Sequence, residues 1–363
     1  MKPTTETIPG TDAKNRKLIS HRELLKRASV RLLQLAGIGG CALTAFTLLG
    51  GIAPVFDLTT HFPVQYFVGL AWIAVIHGIL RKWRFAAVFG AAALINLLQI
   101  APLFFGGPSK SERDVAADVT FMTVNVLRKN HNHEAVRRAI EHSTPDIVAL
   151  LEVDQRWITA MADLERNYPH SIKEPRDHNF GMALYSRVPL KNAQVARFVP
   201  DGVLSIVAGI EIDGRSLTVV ATHPVPPSSS SSSHERNKQL AALANFADQR
   251  IEPVVILGDL NTTPWNGHFK KLLSQGRLLD SGKGFGLQPT WPGAWLPKLK
   301  QKAGTSVAGP PAASPFDNFL FRIPIDHCLH SSELQTVDRV VGEYVGSDHL
   351  PLTIKLLFRD EER

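Results

Sequence analysis

Polar side chains stand wherever the longest apolar runs of this chain stop. Asn125 ends Phe121-Met122-Thr123-Val124, Glu152 ends Ile147-Val148-Ala149-Leu150-Leu151, and His223 ends Leu217–Thr222. Asp259 and Asn261 occur in Gly258-Asp259-Leu260-Asn261 after another such run. Asp326-His327 follows Ile323-Pro324-Ile325, and Ser347-Asp348-His349 precedes the last run. Taken singly, each is an ordinary turn residue, N-cap or packed imidazole. Taken together they supply hard oxygen ligands, two imidazoles and a carboxylate to orient one of them. Glu152 with carboxamide or carboxylate neighbours suits Mg²⁺, which takes few protein ligands and keeps waters to meet a phosphate; Mn²⁺ is the alternative. Zinc is not indicated, because the sequence has no His-x-x-x-His pair and no Cys pair.

A sheet that presents these groups at one edge needs strands in front of each. Strand patterns fall at 119–126, 146–152, 181–186, 205–212, 216–222, 253–257, 319–323, 326–329 and 350–357, with helices at 133–142 and 235–249. Strands and helices alternate, yet turns as short as Asp213-Gly214 join some strands, which predicts mixed rather than purely parallel sheets. Pro226–Ser233, two Pro and six Ser, reads as a flexible surface loop, and Lys298–Ala313 as a second insertion.

The first third is of another kind. Leu32–Phe56 has no charged side chain, Phe62–Leu80 is broken only by Gln65 and His77, and Phe85–Phe105 contains only Asn96 and Gln99. Each is long enough to cross a hydrocarbon layer of about 30 Å. This predicts an all-α transmembrane segment of three helices, with Gly37–Gly40 and Gly90–Ala93 at close helix contacts and the polar residues bonding between helices. Residues 1–107 hold 11 Lys and Arg against 4 Asp and Glu, whereas residues 108–363 hold 29 of each. The basic residues cluster before the first run and in Arg81–Arg84, which places both in the cytoplasm, with the Asp57–His61 connection and everything after Phe105 outside it. The expected organisation is a basic cytoplasmic tail (1–31), a three-helix transmembrane domain (32–105), a linker (106–118) and a catalytic domain (119–358), in a cell membrane. Cys41 and Cys328 lie too far apart in character to form a disulfide. At 44% hydrophobic residues the chain of 363 is too apolar for a disordered protein and too poor in Cys for a disulfide scaffold.

The ordered series Thr123-Val124-Asn125, Leu151-Glu152, Thr222-His223, Gly258-Asp259-Leu260-Asn261, Ile325-Asp326-His327 and Ser347-Asp348-His349 resembles the endonuclease/exonuclease/phosphatase superfamily. That superfamily includes pancreatic-type DNase, abasic-site endonucleases, sphingomyelinases and inositol polyphosphate 5-phosphatases. With its apolar N-terminal runs the chain is similar to the bacterial membrane-anchored branch, and Thr290-Trp291-Pro292 and Gly181–Pro189 also resemble segments of that branch. The resemblance implies a four-layer α/β sandwich of two packed mixed β-sheets flanked by helices, and metal-assisted hydrolysis of a phosphate ester. It implies that Glu152 is the main metal ligand, with Asn125 beside it and Asp348 supporting the metal site. Asp259 would position or deprotonate the attacking water and Asn261 would hold a phosphoryl oxygen. His349 would sit against the phosphate, oriented by Asp326, and His223 would contact it as well. The carboxylate that pairs with the first His in DNase-like members is not evident; Glu174 and Asp177 are candidates. His327 is read as packing or solvent-facing.

These observations predict a membrane-anchored hydrolase of phosphate mono- or diesters, partnered with the bilayer and with a lipid-linked or small phosphoester. A nuclease is the second reading, disfavoured by the zero net charge of residues 108–363, since phosphate backbones attract basic faces. A non-catalytic binding module on the same fold is the third.

Overall fold

Val, Ile, Leu and Ala fill the strand segments of the C-terminal two thirds, and the central strands they form are buried on both faces. The computed structural model describes residues 21–50, 54–109, 113, 116–293 and 319–359; Lys298–Ala313 and the start of the basic tail lie outside these. The described strands are β1 (Val119–Asn125), β2 (Ile147–Leu151), β3 (His170–Glu174), β4 (Met182–Ser186), β5 (Lys191–Ala196), β6 (Ser205–Ile212), β7 (Arg215–Thr222), β8 (Val254–Asp259), β9 (Leu278–Asp280), β10 (Asp326–Ser331), β11 (Leu334–Val341) and β12 (Leu352–Phe358). They make two six-stranded sheets, ordered β11-β12-β1-β2-β4-β3 and β5-β6-β7-β8-β10-β9. Each sheet is mixed: β1 and β2 run parallel in the first, β7 and β8 in the second, and their other neighbours are antiparallel.

Successive side chains of a strand point to opposite faces, so each central strand feeds two cores. Phe121, Ile147, Ala149 and Leu151 of one sheet meet Ile206, Val219, Val255, Leu257 and Cys328 of the other in the layer between the sheets. Their neighbours Met122, Val124, Val148 and Leu150 pack outward on Val136, Ile140 and Trp157. Val220, Ile256 and Leu329 pack outward on Leu240, Leu243, Phe269 and Leu272. Two packed mixed sheets flanked by helices result, the architecture expected of this part.

Several local expectations change. The Pro-Pro-Ser run does not stay a loop, because Ser229 caps a helix at Ser230–Asp248: its hydroxyl accepts from the Ser232 amide while the Ser232 hydroxyl accepts from the Ser229 amide. The strand expected at 319–323 is a 3₁₀ turn, Phe319–Phe321, from which only Ile323 bridges to Trp291; Pro324, lacking an amide hydrogen, cannot continue a ladder.

In the first third, α1 (His21–Leu48) takes in residues 21–31 of the expected tail and ends eight residues before Phe56. It is followed by the short α2 (Pro54–Thr59), α3 (Pro63–Ile79) and α4 (Trp83–Ile100), the last continuing as a 3₁₀ turn to Phe104. By length and composition, His21–Leu48 and Trp83–Phe104 could cross a membrane, whereas α3 is apolar but only 17 residues long. These three helices share a core of Leu70, Ile73, Phe89, Ala92 and Ala93. Gly37 lies under Phe89 so closely that a β-carbon there would stand 2.5 Å from the ring. Asn96 donates to the Thr44 hydroxyl on α1 at 2.8 Å, an interhelical bond, but His77 bonds within its own helix, to the Ile73 carbonyl at 2.9 Å. The helices of the C-terminal two thirds are α5 (His133–Ser143), α6 (Gln155–Ala160), α7 (Ser230–Asp248) and α8 (Gly267–Gln275). Val64, Ile100 and Leu103 of the apolar helices bury themselves against Trp265, so the two parts share a joint.

Gly258, just before Asp259, has φ +141°, and a β-carbon on it would lie 2.0 Å from the Thr222 carbonyl oxygen of β7. Gly258→Ala should therefore pry β7 from β8. The expected cost is about 2–3 kcal/mol, a fall of about 5–10 °C in thermal midpoint by scanning fluorimetry. A midpoint equal to wild type would contradict this packing.

Candidate active site

The parallel pairs β1–β2 and β7–β8 end at the same edge of the sandwich, and the polar residues that follow them meet there. Asn125 is the last residue of β1, and Glu152 the first after β2, with its backbone in the left-handed region (φ +62°). His223 follows β7 and Asp259 closes β8. Asp326 opens β10 opposite Asp259 in the antiparallel ladder. Ser347 reaches back to donate to the Asn125 carbonyl at 2.6 Å and accepts from the His349 amide at 3.0 Å, which ties the turn before β12 to the end of β1.

One atom collects most of these groups. Asp259 Oδ2 lies 3.3 Å from Asn125 Nδ2, 3.3 Å from His223 Nε2 and 3.5 Å from His349 Nε2. Its other oxygen accepts from the Asn261 amide at 2.9 Å. Asn125 Nδ2 donates to Glu152 Oε1 as well, at 3.1 Å, and His349 Nδ1 donates to Asp326 Oδ2 at 2.8 Å. All of these except Asn261 are buried, Asp259 and Asp326 almost completely.

The electrostatics follow from that packing. Burial alone would lower the His349 pKa, but the Asp326 and Asp259 carboxylates overturn it and push it up to about 10. His223 is likewise raised: burial opposes its charge, and the bond to Asp259 together with the charges of Asp259 and Glu152 outweighs the burial. Burial would raise the Asp259 carboxyl, yet His349 and His223 hold it below the usual carboxylate range. A carboxylate so stabilised is a weak base and a strong hydrogen-bond acceptor, suited to orienting a water more than to seizing its proton.

Two sets of donors could hold a metal. An oxygen of Glu152 and one of Asp259 converge on the same nitrogen of the Asn125 amide, whose oxygen accepts from the Leu127 amide, and no Lys or Arg pairs with Glu152 among the described residues. Such converging oxygens with an uncharged amide between them fit a hard divalent cation. Ligand atoms of Asp259, Asp326 and His349 also lie within 4.8 Å of one another, although His349 already spans the other two.

The remaining candidates are placed as follows. Asn261 takes a left-handed conformation (φ +50°), and its side chain donates to the Pro224 carbonyl at 2.9 Å. Asp348 is half-buried and acts on His349 through its charge. Glu174 pairs with Arg176; His223 lies against Asp259 through Nε2, and its buried Nδ1 meets neither Glu174 nor Asp177 nor any other hydrogen-bond partner among the described residues. His327 is buried against Phe269 and bonded to the Thr262 carbonyl at 2.9 Å. Thr222 and Thr290 belong to segments that carry the resemblance, but their supporting roles are not legible in the sequence: the Thr222 hydroxyl meets Ser205 and Gln239, and the Thr290 hydroxyl accepts from the Asp326 amide while its carbonyl accepts from Leu350. A lone Thr carries no local signal for such a role. A cavity of about 230 Å³ lies next to the site, lined by Arg176, His178, Phe180, Arg197 and Asp201, with the Phe180 ring 5.4 Å from that of His223.

Residues 122–349 match the model of the endonuclease/exonuclease/phosphatase family. Among solved structures, an endonuclease/exonuclease/phosphatase from Bacteroides vulgatus superposes with a TM-score of 0.51 at 15% identity, covering 66% of this chain and 99% of that one. D. rerio TDP2 complexed with single strand DNA product superposes with a TM-score of 0.50 at 17% identity, covering 66% and 98%. These likenesses concern the fold. No curated protein matches the sequence.

Because the His349 pKa is raised from 6.5 to about 10 on folding, the native state holds its proton more tightly than the unfolded chain. The stabilisation is complete below pH 6.5 and is lost as pH climbs through 10. In EDTA, the thermal midpoint of wild type should fall over that interval more steeply than that of His349→Gln. Parallel curves would show that the His349–Asp326 pair is not the charged pair described.

Proposed function

The chain belongs to the endonuclease/exonuclease/phosphatase family, and on that premise we propose that it is a membrane-anchored, extracytoplasmic, Mg²⁺-dependent phosphoesterase acting on a lipid-linked or small phosphate ester. Members of the family are metal-dependent hydrolases of phosphate ester bonds, and this chain is one. What carries the finer reading is the meeting of Glu152, Asn125, Asp259, two imidazoles and Asp326 at a sheet edge, beside a bundle of apolar helices packed on the loop that follows Asp259.

A Mg²⁺ ion held by Glu152, with Asn125 beside it and Asp348 in support, would polarise the phosphoryl group and neutralise charge on its oxygens. The protein's own groups do the rest. Asp259 orients the attacking water. His349, kept cationic by Asp326 and Asp259, donates to a phosphoryl oxygen, and His223 donates from the other side of Asp259. Asn261 lines the same edge. Arg176 and Arg197 in the adjoining cavity suit an anionic portion of the substrate, so Arg197→Ala should raise KM severalfold and leave kcat within about twofold.

Orientation is supported by where the helices meet the catalytic domain. The Asp57–His61 connection and the end of α4 both contact it, so they belong on its side of the bilayer, and the basic Arg81–Arg84 turn falls on the other. The domain order 1–31, 32–105, 106–118 and 119–358 is kept as part of the proposal, with α1 reaching into the first segment.

The test uses the full chain in lipid nanodiscs with Mg²⁺ or EDTA, assayed side by side on polyprenyl and phospholipid phosphates and on plasmid DNA. Release of phosphate or headgroup from the lipids, abolished by EDTA, is expected. Asp259→Ala and His349→Ala should each lower kcat by about 10²–10⁴. Nicking of the plasmid without lipid turnover would replace the lipid reading with a nuclease.

A further inference from the structure

The connection between the first two long apolar helices is not a free loop. Asp57 is 2% exposed, and Arg236, on α7 of the catalytic domain, is fully buried. Arg236 Nη2 donates to Asp57 Oδ2 at 2.6 Å, and the other oxygen of Asp57 accepts from Asn266 Nδ2, also at 2.6 Å. Asn266 donates further to the Thr60 hydroxyl at 2.9 Å, and His61 Nδ1 lies 3.0 Å from the Thr263 hydroxyl. Four buried residues of the helical part's connection and catalytic loop thus interlock around a single ion pair. The second arm of Arg236 completes the link: Nη1 donates to the carbonyl of Asn261 at 3.0 Å.

Asn261 needs such a hold. Its left-handed backbone is sparsely populated, though Asn accepts it better than most residues with a β-carbon, and it sits two positions beyond Asp259, whose Oδ1 accepts its amide. The turn is pinned from three directions: by Asp259 through the amide, by Pro224 through the side chain, and by Arg236 through the carbonyl. Of these the Arg236 guanidinium is the one cation, and the carboxylate it pairs with, Asp57, comes from outside the catalytic domain.

We propose that Asp57 is a positioning residue for the loop Asp259–Thr263: by fixing Arg236 it fixes the Asn261 carbonyl and the turn that aims Asp259, so the apolar helices are a working part of the active site and not a tether alone. The proposal rests on the phosphoesterase reading for its catalytic consequence, and on the joint alone for its structural one. A guanidinium can serve both Asp57 and Asn261 at once because its nitrogens diverge in a rigid plane. Removing the carboxylate leaves that cation buried with only neutral acceptors, the Asn237 side chain and the Asn261 carbonyl, and its simplest escape is to withdraw from Asn261.

The experiment compares full-length wild type, Asp57→Asn, and the uncharged pair Asp57→Asn/Arg236→Gln in nanodiscs. The pair leaves no buried charge unmatched, so it folds where the single variant does not, yet it lacks the guanidinium bond to Asn261. Hydrogen exchange of peptides covering 258–266 should quicken by about tenfold or more in the variants, while those covering β1 and β2 exchange as in wild type. With bis-p-nitrophenyl phosphate and Mg²⁺, kcat should fall about tenfold to a hundredfold and KM stay within about twofold. Unchanged exchange at 258–266 overturns the proposal whatever the activity. Quickened exchange with wild-type kcat overturns it too, leaving the joint a tether. If wild type hydrolyses no phosphoester, the functional reading fails, and the exchange measurement by itself decides whether Asp57 holds this loop.

Discussion

The buried carboxylate of Asp259 is the constraint to which the rest of the structure answers. A carboxylate 2% exposed is tolerable only with several donors around it, and this one draws them from four separate stretches: Asn125, His223, Asn261 and His349. Each donor then has to be held in turn. Asp326 orients His349, Ser347 ties its turn to β1, and Gly258 lets β8 approach β7 closely enough to bring His223 alongside. The two parallel pairs end at a common edge, which is where such a collection of short polar side chains can meet without crossing the apolar layer between the sheets.

The same logic explains why the N-terminal third is joined as it is. A buried ion pair contributes little net stability, since desolvating two charges offsets most of their attraction, but it strongly penalises arrangements that separate them. Asp57 and Arg236 therefore act as a registration device between helices and catalytic domain. The apolar contacts of Val64, Ile100 and Leu103 with Trp265 supply adhesion without direction. Burial also keeps the imidazole of His61 neutral, its pKa lowered to about 4 with the Arg236 charge adding to the effect, which lets it sit beside the pair without competing for Asp57. Cutting the chain between the two parts would remove the carboxylate and leave the guanidinium in place.

Much of this was legible in the residues. Runs of β-branched and aliphatic residues marked the central strands to within one or two positions, because strands buried on both faces cannot tolerate polar interruptions. The polar residue that ended each run was a visible break in that pattern. Edge strands β3, β5 and β11 escaped notice, since their partly exposed side chains obey no strict alternation. The Ser run misled because composition is blind to a cap, which depends on two hydroxyls facing two amides. Gly-Asp-x-Asn and Ser-Asp-His were informative as a series, and Thr222 and Thr290 stood in segments that carry the resemblance, but the partners their hydroxyls find come from distant strands and helices.

Sequence by itself determined the central strands, the apolar character of the N-terminal helices, the excess of basic residues in the first third and the set of polar side chains that meet at the sheet edge. These are properties of single residues and of local periodicity. Only the tertiary structure decided that Asp259 faces His223 and that Asp57 belongs to the catalytic loop's surroundings. Each of those depends on side chains 36 to 179 positions apart in the chain, and a pairing over such distances is set by how the layers stack, which no run of neighbouring residues encodes.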